Sequence, residues 1–245
     1  MTTSEFSNQF DILYDNVASK SAPGLDEYEK SVYLTKAQLE LVKGKYSNQN
    51  KYQEGFEGSE KRRVEFKELL STYKTSTSET FTDNIGDSSI YSIPSEAFLI
   101  IQEQVKLGYP TVNDNRIAKV IPKTHDEYNI QIRNPFKKPN EDTVWRLDYS
   151  STDIDKRFVE LLSLYAINEY IVRYIKYPEP IVLTDIANGD FVGMELTIEG
   201  STAEATSKLD QSLHDEILDR AVELAVRDYK ESNLQNKVQL NLRNE

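Results

Sequence analysis

Apolar residues near the start of the chain recur every three or four positions, which is the period of an α-helix. The residues that follow this spacing are Phe6, Phe10, Leu13 and Val17. Ser4 stands where an N-cap residue is expected, and the SAPG stretch at residues 21–24 marks a turn. The pattern predicts a first helix that begins near Ser4 and ends before this turn.

A second and longer stripe of the same period follows the turn. Its members are Leu25, Tyr28, Val32, Thr35, Leu39, Val42 and Tyr46. Acidic residues between positions 26 and 29 lie at the end where the helix dipole is positive. The spacing predicts a helix whose striped face is buried within the folded unit. A polar loop is predicted at residues 47–58, followed by a third helix over residues 59–74.

The pattern changes after residue 89, where short apolar or alternating runs are bounded by Pro, Asn and Asp. Such runs are typical of β-strands. THDEYNIQIRNPF is an exception, because Thr124 and Glu127 form a capping-box pattern that predicts a short helix. Residues 158–175 fit either a helix or strands. Strands are favoured from Tyr170 onward, since β-branched residues there run into two prolines.

Helical spacing returns near the C-terminus, with Ser212 as the predicted N-cap and a helix that extends to about Tyr229. Its apolar face comprises Leu213, Ile217, Ala221, Leu224 and Ala225. Beyond a mostly polar stretch at 231–236, the ending NKVQLNLRNE alternates apolar and polar residues, which is the period of a strand. An extended strand there could add to an open sheet edge or fill a groove, or it could be a tail that folds back on its own sheet. The predicted contact residues are Leu234, Val238, Leu240 and Leu242.

The order of these elements predicts an α+β fold. The N-terminal helices and the C-terminal helix would form a helical bundle, with an inserted β-rich subdomain and the extended C-terminal arm. The predicted limits are 1–75 and 207–232 for the helical body, 88–206 for the β-rich insertion and 233–245 for the arm.

Composition excludes several functions. The net charge of −12 argues against a protein that holds nucleic acid by its phosphates, which requires clustered Lys and Arg. The absence of cysteine excludes disulfides, thiolate metal sites and a cysteine nucleophile. No apolar run approaches membrane-spanning length, and MTTSEFSNQF lacks the features of a signal peptide. We therefore expect a chain that works in a cytosol or in a particle assembled there. Fifteen tyrosines suit either protein interfaces or a wet core.

No catalytic motif is present, because the sequence contains no phosphate-binding loop, dinucleotide fingerprint, zinc-protease motif or nucleophile elbow. His125 and His214 each begin the triplet HDE, which could form a metal or acid–base site. Each also falls in the first turn of a predicted helix, where acidic residues are expected for the helix dipole, and this interpretation is favoured. The residues alone predict no catalytic site, no metal and no cofactor. They indicate an interaction protein.

Three stretches carry a resemblance to a known family. They are SEFSNQFDILYDNVASKSAPGLDEYEKSVYLTKAQLELVKGKY, YIVRYIKYPEPIVL and LHDEILDRAVELAVRDYKES. In this order and spacing they resemble neck-ring proteins of crAss-like and related short-tailed bacteriophages. More remotely, the layout is similar to that of head–tail adaptor proteins. The resemblance implies a structural virion protein that forms a ring, typically a homododecamer, below the portal. The likeness to adaptors also implies that the C-terminal arm leaves the body of the protein and docks on the portal or on a neighbouring subunit.

As a head-to-tail connector, such a ring would join the portal to the tail and line the DNA channel. The implied partners are other copies of the chain, the portal protein and other neck and tail rings, with DNA only as passing cargo and no membrane. The implied location is the neck or tail of the virion, assembled in the host cytoplasm. Two alternatives remain open: a tail-associated hydrolase acting through carboxylates, and an assembly factor absent from the finished particle.

Overall fold

The computed structural model describes residues 1–17, 23–46, 60–81, 88–108, 115–149, 156–188 and 195–243. The helices are α1 (Thr3–Val17), α2 (Glu27–Tyr46), α3 (Glu60–Glu65), α4 (His125–Gln131) and α5 (His214–Arg243). The strands are β1 (Leu70–Thr75), β2 (Ser89–Ile93), β3 (Ala97–Gly108), β4 (Asn115–Pro122), β5 (Thr143–Tyr149), β6 (Arg157–Leu162) and β7 (Ile167–Lys176). The loop predicted at residues 47–58 lies outside the described residues.

The chain forms two compact units. The helical unit comprises Met1–Leu69 and Pro178–Glu245, and the sheet unit comprises Leu70–Tyr177. The sheet unit is therefore inserted between the two parts of the helical unit. The predicted insertion, residues 88–206, begins and ends later along the chain than this unit does.

In the helical unit, α5 packs against α1 and α2. The five residues predicted for its apolar face are all buried, which confirms that prediction. The buried face is wider than predicted, because Leu218, Val222 and Val226 also belong to it. The N-cap differs as well: the Asp210 carboxylate accepts the Ser212 N–H at 3.0 Å, in a single 3₁₀ turn that precedes α5.

Helix α1 buries its aromatic residues Phe6, Phe10 and Tyr14. Its start is capped by Thr2 rather than by Ser4. The Thr2 N–H donates to Glu5 Oε2 at 2.8 Å, and the Glu5 N–H donates to Thr2 Oγ1 at 3.2 Å. This reciprocal pair satisfies two donors that the first turn of a helix leaves open.

The buried face of α2 is partly polar, which the hydrophobic pattern did not predict. Its buried residues include Ser31, Leu34, Thr35, Gln38 and Val42. Val32 lies in the predicted stripe but is 39% exposed, so the predicted burial of the whole stripe is wrong.

An extended segment, residues 179–183, explains this face, because side chains of α2 bind its backbone. Thr35 Oγ1 accepts the Ile181 N–H at 3.1 Å and donates to the Ile181 carbonyl at 3.2 Å. The remaining bonds join Ser31 Oγ to the Leu183 N–H (2.9 Å) and Gln38 Nε2 to the Glu179 carbonyl (2.7 Å). Buried backbone groups need such partners, so hydroxyl and amide side chains occupy part of the buried face of α2.

Lys30 of α2 is a buried lysine that links α2 to α1. Its ammonium lies 2.8 Å from Asp11 Oδ2, 3.0 Å from Glu27 Oε1 and 3.1 Å from Ser7 Oγ. Burial alone lowers the pKa of Lys30, but the hydrogen bonds with Asp11 and Glu27 outweigh it, and the net pKa is raised. Lys30 is therefore a charged cross-link between the two helices.

The helix predicted over residues 59–74 is wrong in its second half. Helix α3 ends at Glu65, and β1 begins at Leu70 after a short 3₁₀ turn. Residues 70–75, LSTYKT, alternate in burial and contain β-favouring Thr and Tyr. They pair antiparallel with β7, from Leu70 opposite Ile175 to Thr75 opposite Tyr170. The ladder with β7 overrides the helical spacing.

The sheet unit contains one seven-stranded sheet in the order β1-β7-β3-β4-β5-β6-β2. All neighbouring strands are antiparallel except β4 and β5, which are parallel. Parallel neighbours need a crossover, and α4 supplies it. The side chain of Thr124 accepts the Glu127 N–H at 3.2 Å, which confirms the predicted helix start.

Each face of this sheet has its own apolar cluster. The larger cluster includes Tyr91, Val105, Leu107, Val120, Val144, Val159, Leu161, Tyr170, Val172 and Tyr174. On the other face, Trp145 packs with Leu147, Leu162 and Tyr128 of α4. A buried ion pair accompanies the larger cluster, since Arg146 Nη1 lies 2.6 Å from Glu103 Oε2 and Tyr170 donates its hydroxyl to Glu103. Burial raises the pKa of Tyr170, and the negative charge of Glu103 raises it further, so this hydroxyl stays a neutral donor.

The extended C-terminal arm is not found. The backbone continues as α5 to Arg243, so residues 233–243 are helical. The same stretch also contains a helical spacing, since Leu234, Val238 and Leu242 recur every four residues. Neither Gly nor Pro lies between Tyr229 and Arg243, so nothing in the sequence ends the helix where the prediction ended it.

Candidate assembly surfaces

An apolar groove lies between α1 and α5 in the helical unit. It consists of two adjoining hollows, of about 320 and 520 Å³, which share Leu13 and Asp219. The apolar residues that line this α1–α5 groove are Ile12, Leu13, Val17, Leu218, Val222 and Val226. The α5 residues are buried, whereas Ile12 is 62% and Val17 is 54% exposed. Exposed apolar side chains beside a concave apolar floor are typical of a contact site for another protein.

The polar rim of the α1–α5 groove differs between its two hollows. In the smaller hollow the charged lining residues are Asp215 and Asp219. The larger hollow has Asp219 and Glu223 together with Arg227 and Lys230. Because Glu223 already lies 2.8 Å from Arg220, the negative charge available to a partner is concentrated at the smaller hollow.

A second candidate surface is the loop between α4 and β5 in the sheet unit. Phe136 at its centre is 95% exposed. The neighbouring positions Lys137 and Lys138 are also exposed, as is Arg133 at the start of the loop. Elsewhere in the same unit, Ile130 is 74% exposed. A basic loop with an exposed aromatic residue stands out in a chain of net charge −12.

The loop that carries Phe136 is held at both ends by asparagine side chains. Asn134 Oδ1 accepts the Phe136 N–H at 3.0 Å, and Asn140 Oδ1 accepts the Thr143 N–H at 2.9 Å. Prolines at 135 and 139 further restrict the backbone. Phe136 is therefore presented on a restrained loop, which reduces the entropy that a partner must remove on binding.

Sequence analysis did not identify either surface, although both left a signal. Helix α1 has more apolar positions than one buried face can use, because Ile12, Leu13 and Val17 add to its three buried aromatic residues. In RNPFKKPN, the single aromatic residue follows one proline and is followed by two lysines and a second proline. It has no aliphatic or aromatic neighbour with which to form a core.

Each of the two histidines begins a helix, which confirms their predicted place in a first turn. His214 begins α5 and is 4% exposed; its Nε2 lies 3.2 Å from the Leu209 carbonyl and its Nδ1 2.9 Å from the Met1 ammonium. Burial, and secondarily the Met1 ammonium, lower the pKa of His214. His125 is exposed, with Nε2 3.2 Å from the Asp148 carbonyl.

Within the described ranges, no group of three or more His, Asp or Glu side chains is placed to hold a metal ion. None of the described helices is long and apolar enough to span a membrane. The residues predicted as contacts, Leu234, Val238, Leu240 and Leu242, all lie on the helical backbone of the last turns of α5.

Comparison with known proteins decides the family. Residues 1–237 match the model of the family described as phage tail ring protein 3/4. The chain belongs to this family. Ring protein 4/5 of Bacteroides phage crAss001 is 38% identical to this tail ring protein over 253 residues, which cover 100% of both chains. Ring protein 3 of the same phage is 36% identical over 230 residues, covering 92% of this chain and 95% of the relative.

The predicted resemblance to ring proteins of crAss-like phages is thus confirmed. A phage tail ring protein is a structural component of a virus particle, and this chain is not an enzyme. The alternative of a carboxylate hydrolase is thereby set aside. These two relatives carry different ring-protein designations in the same phage.

Proposed function

We propose that copies of this chain form a homododecameric ring in the neck or tail of the virion, where the ring connects the portal to the tail. The match to the phage tail ring family over residues 1–237 carries this proposal. Copies of one chain close into a ring when each copy binds the next through two different surfaces. The α1–α5 groove and the basic loop at Phe136 are two such different surfaces on every copy.

We also propose that the ring surrounds the channel through which DNA passes, with DNA as cargo rather than as a bound ligand. The net charge of −12 supports this, because an acidic wall repels phosphates and lets the duplex slide. A basic wall would bind DNA and slow its passage. The ring would assemble in the host cytoplasm together with the portal and other ring proteins.

The end of α5 is our proposed contact with the portal or with a neighbouring ring. Leu234, Val238 and Leu242 recur every four residues, so on a helical backbone they share one side. Leu240 lies off this stripe and contributes less. An amphipathic helix end of this kind binds into a groove of its partner, and many copies in a ring strengthen a weak single contact.

The experiment that tests the connector role is electron cryomicroscopy of purified virions, combined with mass spectrometry that counts copies of the chain. We expect a ring of this protein between the portal and the tail. Its absence from purified particles, with normal abundance in infected cells, would instead identify an assembly factor.

Deletion of residues 234–245 tests the end of α5 separately. The truncated chain should fold, because it keeps the buried apolar residues of α5 from Ile217 to Val226. We expect it to form rings but not to join portal-containing heads. The matched control replaces Gln235, Gln239 and Asn241 by Ala, which keeps the apolar stripe and should leave attachment unchanged. Normal attachment of the truncated chain would rule out this contact.

A further inference from the structure

We propose that neighbouring copies of this chain contact each other head to tail, with Phe136 of one copy inserted into the α1–α5 groove of the next. In this contact Lys137 and Lys138 lie against Asp215 and Asp219 of the neighbour. The inference rests on the proposed ring and names the two surfaces that would build it.

The loop is suited to act as the inserted element. Phe136 is 95% exposed, so nearly all of the roughly 150–250 Å² of surface that an aromatic side chain can bury is available. The asparagine bonds and the two prolines restrain the backbone around it, so docking orders few additional bonds. Exposed aromatic residues on restrained loops are typical anchors of protein interfaces.

The groove is suited to receive an aromatic ring. Its smaller hollow measures about 320 Å³ and is lined by Ile12, Leu13 and Leu218, with carboxylates at the rim. The larger hollow continues from it beyond Leu13. A phenyl ring seated there would bury the exposed faces of Ile12 and Leu13 together with itself, which is the arrangement of a buried centre within a polar rim.

Charge determines which occupant fits. At a net charge of −12 two copies repel each other over most of their surfaces, so a stable contact must join a locally basic area to an acidic one. The loop has lysines at the two positions after Phe136, and the smaller hollow is lined by Asp215 and Asp219. The complementarity is local and would weaken as salt is added.

The two surfaces differ, so the contact is heterologous, and repetition of it produces a closed ring when the rotation between copies permits. One aromatic anchor is smaller than the 1,200–2,000 Å², in round figures, of a stable interface. Phe136 would therefore be the centre of a larger contact, and the ring would hold because each copy is bound on two sides.

Cross-linking tests the contact directly, because the chain has no cysteine of its own. A chain carrying both Gln9→Cys, at the smaller hollow, and Arg133→Cys, at the start of the loop, keeps Phe136 and both lysines. It is treated with a short bismaleimide linker and resolved on a denaturing gel. We expect a ladder of covalently joined copies, whereas each single-cysteine chain should give at most dimers. A matched control joins Arg133→Cys with Val32→Cys, an exposed position on α2, and should give no ladder.

Charge reversal tests the specificity of the contact. Lys137→Glu with Lys138→Glu should weaken self-association in native mass spectrometry, and adding Asp215→Lys with Asp219→Lys should restore it. The control reverses Lys36 and Lys119, two exposed lysines outside both surfaces, and should change little. Phe136→Ala should weaken self-association about tenfold or more, as expected for an interface anchor. Circular dichroism checks that every variant is folded.

The outcomes separate this contact from the proposed ring. Rings that form without the Gln9–Arg133 ladder and survive Phe136→Ala would overturn the contact and leave the ring intact. A ladder from Gln9→Cys with Val238→Cys, in place of the Gln9–Arg133 ladder, would assign the groove to the end of α5 of a neighbour instead. A chain that neither self-associates nor occurs in virions would overturn both proposals.

Discussion

Helices α2 and α5 belong to the same unit, but the side chains on their buried faces differ in polarity. The buried face of α5 is aliphatic from Leu213 to Val226, with His214 as its buried polar residue. The buried face of α2 includes Ser31, Thr35 and Gln38. Both helices are amphipathic, but only one of them follows the simple rule that apolar residues face inward.

The neighbours of each helix account for the difference. Helix α5 packs against other helices, whose backbone groups are already bonded, so its contacts need only shape and apolar area. Helix α2 also faces the extended segment at 179–183, in which Val182 pairs with Ala205 while the backbone groups of Ile181 and Leu183 are turned toward α2. A helix that faces unpaired backbone must carry hydrogen-bonding side chains, because each buried unsatisfied group is costly.

The largest expected effect comes from the aliphatic face. Ile217 of α5 is fully buried, and Ile217→Ala should lower the free energy of unfolding by about 2–5 kcal/mol, since it removes apolar contacts and leaves a cavity. Urea denaturation followed by circular dichroism measures this. Lys230→Ala, at an exposed position of the same helix, is the control and should be nearly neutral. If Ile217→Ala and Lys230→Ala both changed the free energy of unfolding only slightly, the apolar face would not be what holds α5 in place.

A smaller loss is expected from the hydroxyl face. Thr35→Val keeps the shape of the side chain but leaves the N–H and carbonyl of Ile181 without their partner, at a cost of about 1–3 kcal/mol. Thr35→Ser retains the hydroxyl and should recover most of the stability. If Thr35→Val were as stable as the original chain, Thr35 would act as an apolar residue and the contrast between the helices would disappear.

The smallest effect is expected at the position that the hydrophobic pattern misjudged. Val32 is 39% exposed, so Val32→Asp should change the free energy of unfolding by only about 0.5 kcal/mol or less. Thermal melts of the two chains should nearly coincide. A loss of several kcal/mol would place Val32 inside an interface that copies of the chain form with each other, a result that melts at different protein concentrations would reveal.

The period of hydrophobic residues predicted most helices and strands. It failed where the local structure depends on a partner segment that is distant along the chain. The face of α5, the start of α4 at Thr124 and the strands after residue 89 were visible because each depends on local sequence. Of the polar face of α2 only Thr35 was predicted to be buried, and Ser31 was missed because it binds a segment about 150 residues away along the chain. Likewise β1 follows a helical spacing, and only its ladder with β7 makes it a strand.

The candidate contacts show the same limit. Val238, Leu240 and Leu242 have the spacing of a strand, whereas Leu234, Val238 and Leu242 have the spacing of a helix, and the unbroken helix decides between them. The groove could not be foreseen, because it is formed by two helices from opposite ends of the chain. Phe136 carried a readable signal, an aromatic residue isolated among polar ones.

The way in which the sheet unit is connected has an evolutionary consequence. Its first strand, β1, and its last strand, β7, are hydrogen-bonded neighbours, with Leu70 opposite Ile175. The chain therefore leaves and rejoins the helical unit at two adjacent points. Insertions with adjacent ends are exchanged most easily, because the host fold needs no adjustment to accept them. Exchange of the segment between these two points would replace the exposed loops of the sheet unit while the sequence of the helical unit stays unchanged.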